Sequence, residues 1–169
     1  MIGENVMTID LKHGFLKWDT KELASALKIT EKDVIDYLRD GRRVSFIIER
    51  RLAWEVIGGK LAVSEGAGYD LIDKNGGKWE VRSISNSGIY FCPSCQVGSG
   101  RSFEEHGFIQ KLNEICGYFV SDITQFPRIP YWEIPADVVK RWWDSGKLGK
   151  NTKISRKRAL KLLSSLYNS

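Results

Sequence analysis

The chain has 169 residues, 42% hydrophobic, 11% aromatic and 28% charged, which suits one compact domain and excludes a disordered chain. Its net charge of +5 is unevenly spread: residues 1–139 carry 17 Lys/Arg against 20 Asp/Glu, whereas residues 140–169 carry 9 against the single Asp144. No apolar run approaches the ~18 residues of a membrane span. The start, Met1-Ile2-Gly3-Glu4-Asn5, has no secretory pattern, and three cysteines fit reduced thiols, so a cytoplasmic setting is expected.

In chain order, Thr20 is placed to cap a helix over 21–27, with Leu23, Ala24 and Leu27 on one face. Thr30 and Asp33 form the capping box of a second helix, with Val34, Ile35 and Leu38 inward and Gly41 at its end. The pair resembles a helix-turn-helix, as any short helical hairpin does. A third helix is expected over 44–57, where Ile48, Leu52 and Val56 recur every fourth residue before Gly58-Gly59. Strands follow over 60–64, 69–73 and 78–85, the last two joined by Asn75-Gly76-Gly77, a tight-turn sequence. Ile89-Tyr90-Phe91 reads as a short strand. Ser102 and Glu105 suggest a capping box for a helix to Ile115. A strand over 117–123, an aromatic stretch over 129–134, a helix begun by Pro135 and a helix capped by Ser155 complete the chain. This order predicts an α/β (mixed α+β) fold, with a mixed sheet covered by helices on both faces. Three parts are expected within the single domain: an N-terminal helical segment (1–42), a catalytic core (43–123) and a basic extension (124–169).

The chemistry concentrates in Tyr69-Asp70 and Glu80-Val81-Arg82. Ten residues apart across a short hairpin, Asp70 and Glu80 meet at one end of the sheet. Two carboxylates so close repel each other unless a cation occupies the gap. Mg2+ is the fitting ion, because it prefers oxygen ligands, keeps waters and also binds phosphate. Arg82 lies two residues on, on the strand face of Glu80. Glu49, or failing it Glu55, could join the metal set from the third helix; pairing with Arg50 or Arg51 is the alternative.

At these residues the sequence resembles the PD-(D/E)XK nuclease superfamily, type II restriction endonucleases of the PvuII type especially. The segment reads Tyr69-Asp70-Leu71-Ile72-Asp73-Lys74-Asn75-Gly76-Gly77-Lys78-Trp79-Glu80-Val81-Arg82-Ser83, with Glu49 in the preceding helix. The resemblance spans roughly residues 43–123. It implies a restriction endonuclease-like core and a Mg2+-dependent, site-specific endonuclease for double-stranded DNA that leaves a 5′-phosphate. Mn2+ would substitute for Mg2+. Asp70, Glu80 and Glu49 would be metal ligands, and Asp70, Glu80, Arg82 and Lys78 the catalytic set. Two positions depart from the pattern: Tyr69 replaces Pro, and Arg82 replaces Lys. Arginine keeps its proton (pKa above ~12) and cannot act as a base, but it can contact phosphate bidentately. Lys78 or Lys111 could supply the lysine, or the chain could be a catalytically dead subunit. A half-site-sized chain predicts a homodimer, with the N-terminal helices as its interface. A repair or structure-specific nuclease on the same core is an alternative.

Other signals are weaker. Cys92-Pro93-Ser94-Cys95 has knuckle spacing, but His106 and Cys116 are too dispersed to make zinc the expected metal. Ser99 and Arg101, in a glycine loop before a helix, are candidate DNA-phosphate contacts. Lys150, Lys153, Arg156, Lys157 and Arg158 form a basic patch expected to grip the DNA backbone, since cations in a first helical turn oppose the helix dipole unless phosphate is bound. Trp132, Trp142 and Trp143 read as anchors for the added helices or as base-stacking groups. A non-catalytic DNA-binding regulator built on the helix-turn-helix is disfavoured by the acidity of Glu31, Asp33, Asp36 and Asp40.

Overall fold

The structure, a computed structural model, describes residues 10–168; the expectation drawn from residues 1–5 lies outside them. The strands are β1 (His13–Lys17), β2 (Lys60–Leu61), β3 (Leu71–Ile72), β4 (Lys78–Ile84), β5 (Gly117–Asp122) and β6 (Arg128–Pro135). The helices are α1 (Thr20–Leu27), α2 (Glu31–Leu38), α3 (Gly41–Arg51), α4 (Glu105–Glu114), α5 (Ala136–Asp144) and α6 (Arg156–Tyr167). A π-helical turn, Leu52–Val56, continues α3. The six strands form one mixed sheet in the order β1-β6-β5-β4-β3-β2, in which β4 and β5 are parallel and every other pair antiparallel. The helix α4 makes the crossover that a parallel pair requires.

Side chains alternate along the central strands and build a core on each face. On one face Val81, Phe119 and Ile129 pack beneath Ala24 of α1, Val34 and Leu38 of α2, and Val44, Ile48 and Leu52 of α3 and its extension. On the other, Ile84, Tyr118, Val120 and Ile134 meet Phe108 and Leu112 of α4, Val139 and Trp142 of α5, and Leu163 of α6. The expected α/β sandwich of helices on both faces is present.

Several local expectations change. Asp19, not Thr20, caps α1: its carboxylate accepts from the N–H groups of Lys21 and Glu22, and Leu27 is exposed. The Thr30–Asp33 capping box is intact, but Gly41 opens α3 rather than ending α2. Ser102 does not cap α4, which starts at Glu105 without a side-chain cap. Residues 89–91 make one isolated bridge, from Ile89 to Ile154, in place of a strand. The 129–134 stretch is part of β6, despite Pro130, because the β5–β6 ladder ends at Tyr131 and Pro130 owes no bond to it. Trp142 is buried beside Phe91, and Trp143 packs on Phe103 and Phe108, so both anchor α5.

Candidate active site

The β3–β4 turn fixes the position of Asp70. The Asp73 carboxylate accepts from the N–H groups of Asn75 (2.8 Å) and Gly77 (2.9 Å) and from the Trp79 indole (2.8 Å). Gly76 supplies the left-handed backbone at φ +84°. A side chain at Gly77 would meet the Asp73 carboxylate at 2.3 Å. The turn pairs Leu71 with Trp79 and Ile72 with Lys78. The ladder stops there, and Asp70, one residue before it, is held against the Trp79–Val81 stretch of β4, next to Glu80. The Asp70 N–H donates to the Trp79 carbonyl (2.9 Å), and Asp70 Oδ2 accepts from the Val81 N–H (2.7 Å).

Glu80 and Arg82 lie on the α4 side of the sheet. Glu80 is only 4% exposed, and cations approach both of its oxygens. Arg82 Nη2 stands 2.7 Å from Oε1, and Lys111 Nζ forms an ion pair with Oε2. Lys111, on α4, also donates to the Gly68 carbonyl. Arg82 donates to the carbonyls of Val81 (3.3 Å) and Cys92 (3.0 Å), which fixes its guanidinium. Tyr118, beside Glu80 on β5, donates to the Phe91 carbonyl (2.9 Å), and burial pushes its phenol pKa up. Burial also raises the Asp70 carboxyl above the usual aspartate value. The Glu80 carboxylate adds to that shift, against opposition from the Val81 N–H, Arg82 and Lys111.

Glu49 and Asp70 line one cleft of about 240 Å3, together with Phe46, Arg50 and Tyr69. Glu55, the fallback ligand, is held bidentately by Arg51 (2.7 and 2.8 Å) and lines a different depression with Lys12 and His13. Lys78 rests its ammonium 5.0 Å from the centre of the Tyr69 ring. Lys111 is the lysine that reaches Glu80. Its sequence signal was a cation beside the apolar residues Phe108 and Leu112 of α4.

Among the described residues, no group of three or more His, Cys, Asp or Glu side chains converges as a metal cluster. A divalent cation held here would draw on Asp70 and Glu80, since Mg2+ needs only one or two protein carboxylates beside its waters. It would have to share Glu80 with the cations that already meet both of its oxygens, Arg82 at Oε1 and Lys111 at Oε2. Cys92 is buried in the core, Cys95 is exposed, and Cys116 sits against the Gly77 turn.

The basic residues separate into two groups. Beside Arg82 a cleft of about 560 Å3 is lined by Ser83, Ser85, Ser87 and Tyr90. Tyr90 also borders the neighbouring depression that holds Arg101 and Asn151, and Lys153 lies 5.2 Å over its ring. Arg101 folds back to donate to the carbonyls of Ser94 and Val97, while Ser99 and Lys150 are exposed. Lys157 and Arg158 instead face a groove of about 1220 Å3 between α5 and α6. Arg156 is bound to the buried carboxylate of Asp122 (2.7 Å). The cationic first turn of α6 is thus offset by Asp122, a partner that sequence proximity does not reveal.

No family model matches the chain, and no solved structure matches it. Among curated proteins, it is 36% identical over 84 residues to the cell shape-determining protein MreB of Pasteurella multocida. That match takes in 50% of this chain and 23% of the relative, so the chain spans under a quarter of the protein it resembles there.

Proposed function

We propose that the chain is a Mg2+-dependent endodeoxyribonuclease of the restriction-endonuclease type, cutting double-stranded DNA as a homodimer. The observation that carries this reading is the meeting of Asp70 and Glu80 at one sheet end, with Lys111 and Arg82 against the second carboxylate. The path α3, β2, β3, β4, α4, β5, with β4 and β5 parallel, agrees with the core order that the resemblance implies.

Asp70 and Glu80 would hold the cation, with Glu49 contributing from the shared cleft. When bound, Mg2+ (or Mn2+) polarises the scissile phosphate and lowers the pKa of an attached water. The chain's own residues do the rest. Arg82, pinned by two carbonyls, presents a fixed positive charge to the phosphate oxygens as charge builds there. Lys111 takes the role of the lysine absent at position 82. It balances Glu80 in the free protein and orients the attacking water when DNA is bound. Ser83, Ser85 and Tyr90 carry the strand away from Arg82 toward Lys153, and the product ends in a 5′-phosphate.

The test is incubation of a defined plasmid with Mg2+ or EDTA, using wild type, Asp70→Ala and Arg82→Lys. Discrete fragments that disappear in Asp70→Ala support the reading. Tight DNA binding with no cleavage in any condition would replace the enzyme with a DNA-binding regulator.

A further inference from the structure

The buried face of α3 and its extension is Val44, Ile48 and Leu52, all fully buried. Two residues further on in each case, the opposite face carries Phe46, Arg50 and Trp54. Phe46 is 57% and Trp54 64% exposed, which places two large aromatic rings on one solvent-facing side of the helix. Arg50 stacks its guanidinium 3.3 Å over the Phe46 ring and donates to the Phe46 carbonyl (2.9 Å). Arg43, on the same side of the helix, stacks 4.1 Å over Tyr37 but is paired with Asp40 (3.8 Å), so the cation of the stripe is Arg50, between the Phe46 and Trp54 rings. The stripe therefore sets a cation between two flat apolar rings. It is also continuous with the candidate active site, because Phe46 and Arg50 line the cleft that holds Glu49 and Asp70.

We infer that this stripe is a stacking platform for unpaired bases, so that the double-stranded substrate is engaged with a frayed or single-stranded segment next to the scissile phosphate. Every base has a π-face, and rings interleaved with cations bind single strands through stacking plus backbone attraction. A fully paired duplex presents neither free base faces nor a path over a convex helix. A protein partner for the same surface would need an acidic group to match Arg50. The inference takes its biological purpose from the nuclease reading, but its binding chemistry stands separately.

The experiment is fluorescence anisotropy in EDTA, with a labelled oligo-dT and a blunt duplex of equal length. Wild type is expected to prefer the single strand. Phe46→Ala and Trp54→Ala are each expected to weaken oligo-dT binding by about ten-fold or more, the usual worth of one stacked base. Phe46→Tyr and Trp54→Phe, which keep a ring, retain binding, and duplex affinity stays within about two-fold throughout. Equal losses on both DNAs, or no preference in wild type, would overturn the inference. So would sedimentation showing that the alanine variants convert a dimer to a monomer, because the stripe would then be a subunit interface. Single-strand preference without Mg2+-dependent cleavage would remove the nuclease reading and leave the platform standing.

Discussion

Replacing Lys111 by methionine tests the buried charge cluster. The side chains of Glu80, Lys111 and Arg82 are only 6%, 9% and 14% exposed, so solvent screens their interaction little. Removing one partner of a buried pair costs ~3–5 kcal/mol, because the remaining charge stays desolvated. Arg82 still stands 2.7 Å from Glu80, which puts the expected cost near the lower limit, about 3 kcal/mol. For a domain of this size, each kcal/mol moves the melting temperature by roughly 2–4 °C, so Tm should fall by about 6–12 °C. Methionine fills most of the lysine volume, which keeps cavity effects small. Glu80→Gln removes the shared carboxylate, so in the double variant Glu80→Gln/Lys111→Met the two losses should be clearly less than additive, while Arg82, left without Glu80, prevents full recovery. Circular dichroism melts at neutral pH read the wild type, both single variants and the double variant. A loss below about 1 kcal/mol in Lys111→Met, or additive losses in the double variant, would refute a coupled Glu80–Lys111 pair.

Asp70→Asn should melt above wild type at neutral pH. Because the folded carboxyl has a raised pKa, folded protein binds a proton more readily than unfolded; wild-type stability therefore falls as pH rises through the interval between the ordinary and raised values, and stays lowered above it. The advantage of Asn, which keeps an acceptor for the Val81 N–H, should shrink on titration from about pH 7 to about pH 4, as melts at intermediate pH will show. Arg156→Ala leaves the buried Asp122 carboxylate without its cation, held only by the Thr124 N–H and hydroxyl, and should cost about 2 kcal/mol in urea unfolding. Lys157→Ala, on the exposed side of the same turn, should stay within about 0.5 kcal/mol. In Mg2+ titrations, Glu49→Gln should weaken cation affinity and Glu55→Gln should not, because Glu49 shares a cleft with Asp70 and Glu55 lines a different one; equal effects would disprove the assignment.

The neighbourhood of Asp70 and Glu80 was legible because it is local. Asn75-Gly76-Gly77 announces a tight turn that pairs Leu71 with Trp79, and the Asp70 bonds to Trp79 and Val81 then hold it beside Glu80. The choice between Glu49 and Glu55 was open in the sequence, since both lie on the same predicted helix near Arg50 and Arg51. Only the packing of α3 over the sheet decides which one faces Asp70. Lys111 could be suspected from its place in an apolar stripe, yet its partner lies 31 residues away and becomes visible only once α4 crosses the sheet. β1 escaped notice because one side chain of it, Leu16, is buried, too few to show an alternation. The basic C-terminus read as a single patch, whereas tertiary structure gives Arg156 to Asp122, points Lys153 toward the Arg82 cleft and leaves Lys157 and Arg158 in a separate groove.

Cleavage of an end-labelled DNA duplex by wild type and Asp70→Asn, with Mg2+ and with EDTA, tests the central claim most directly. The asparagine variant should fold at least as well as wild type, so lost activity cannot be assigned to misfolding. The account predicts Mg2+-dependent cuts bearing 5′-phosphates from wild type and none from Asp70→Asn. Equal cleavage by both proteins, or no cleavage by wild type with Mg2+ or Mn2+, would contradict it.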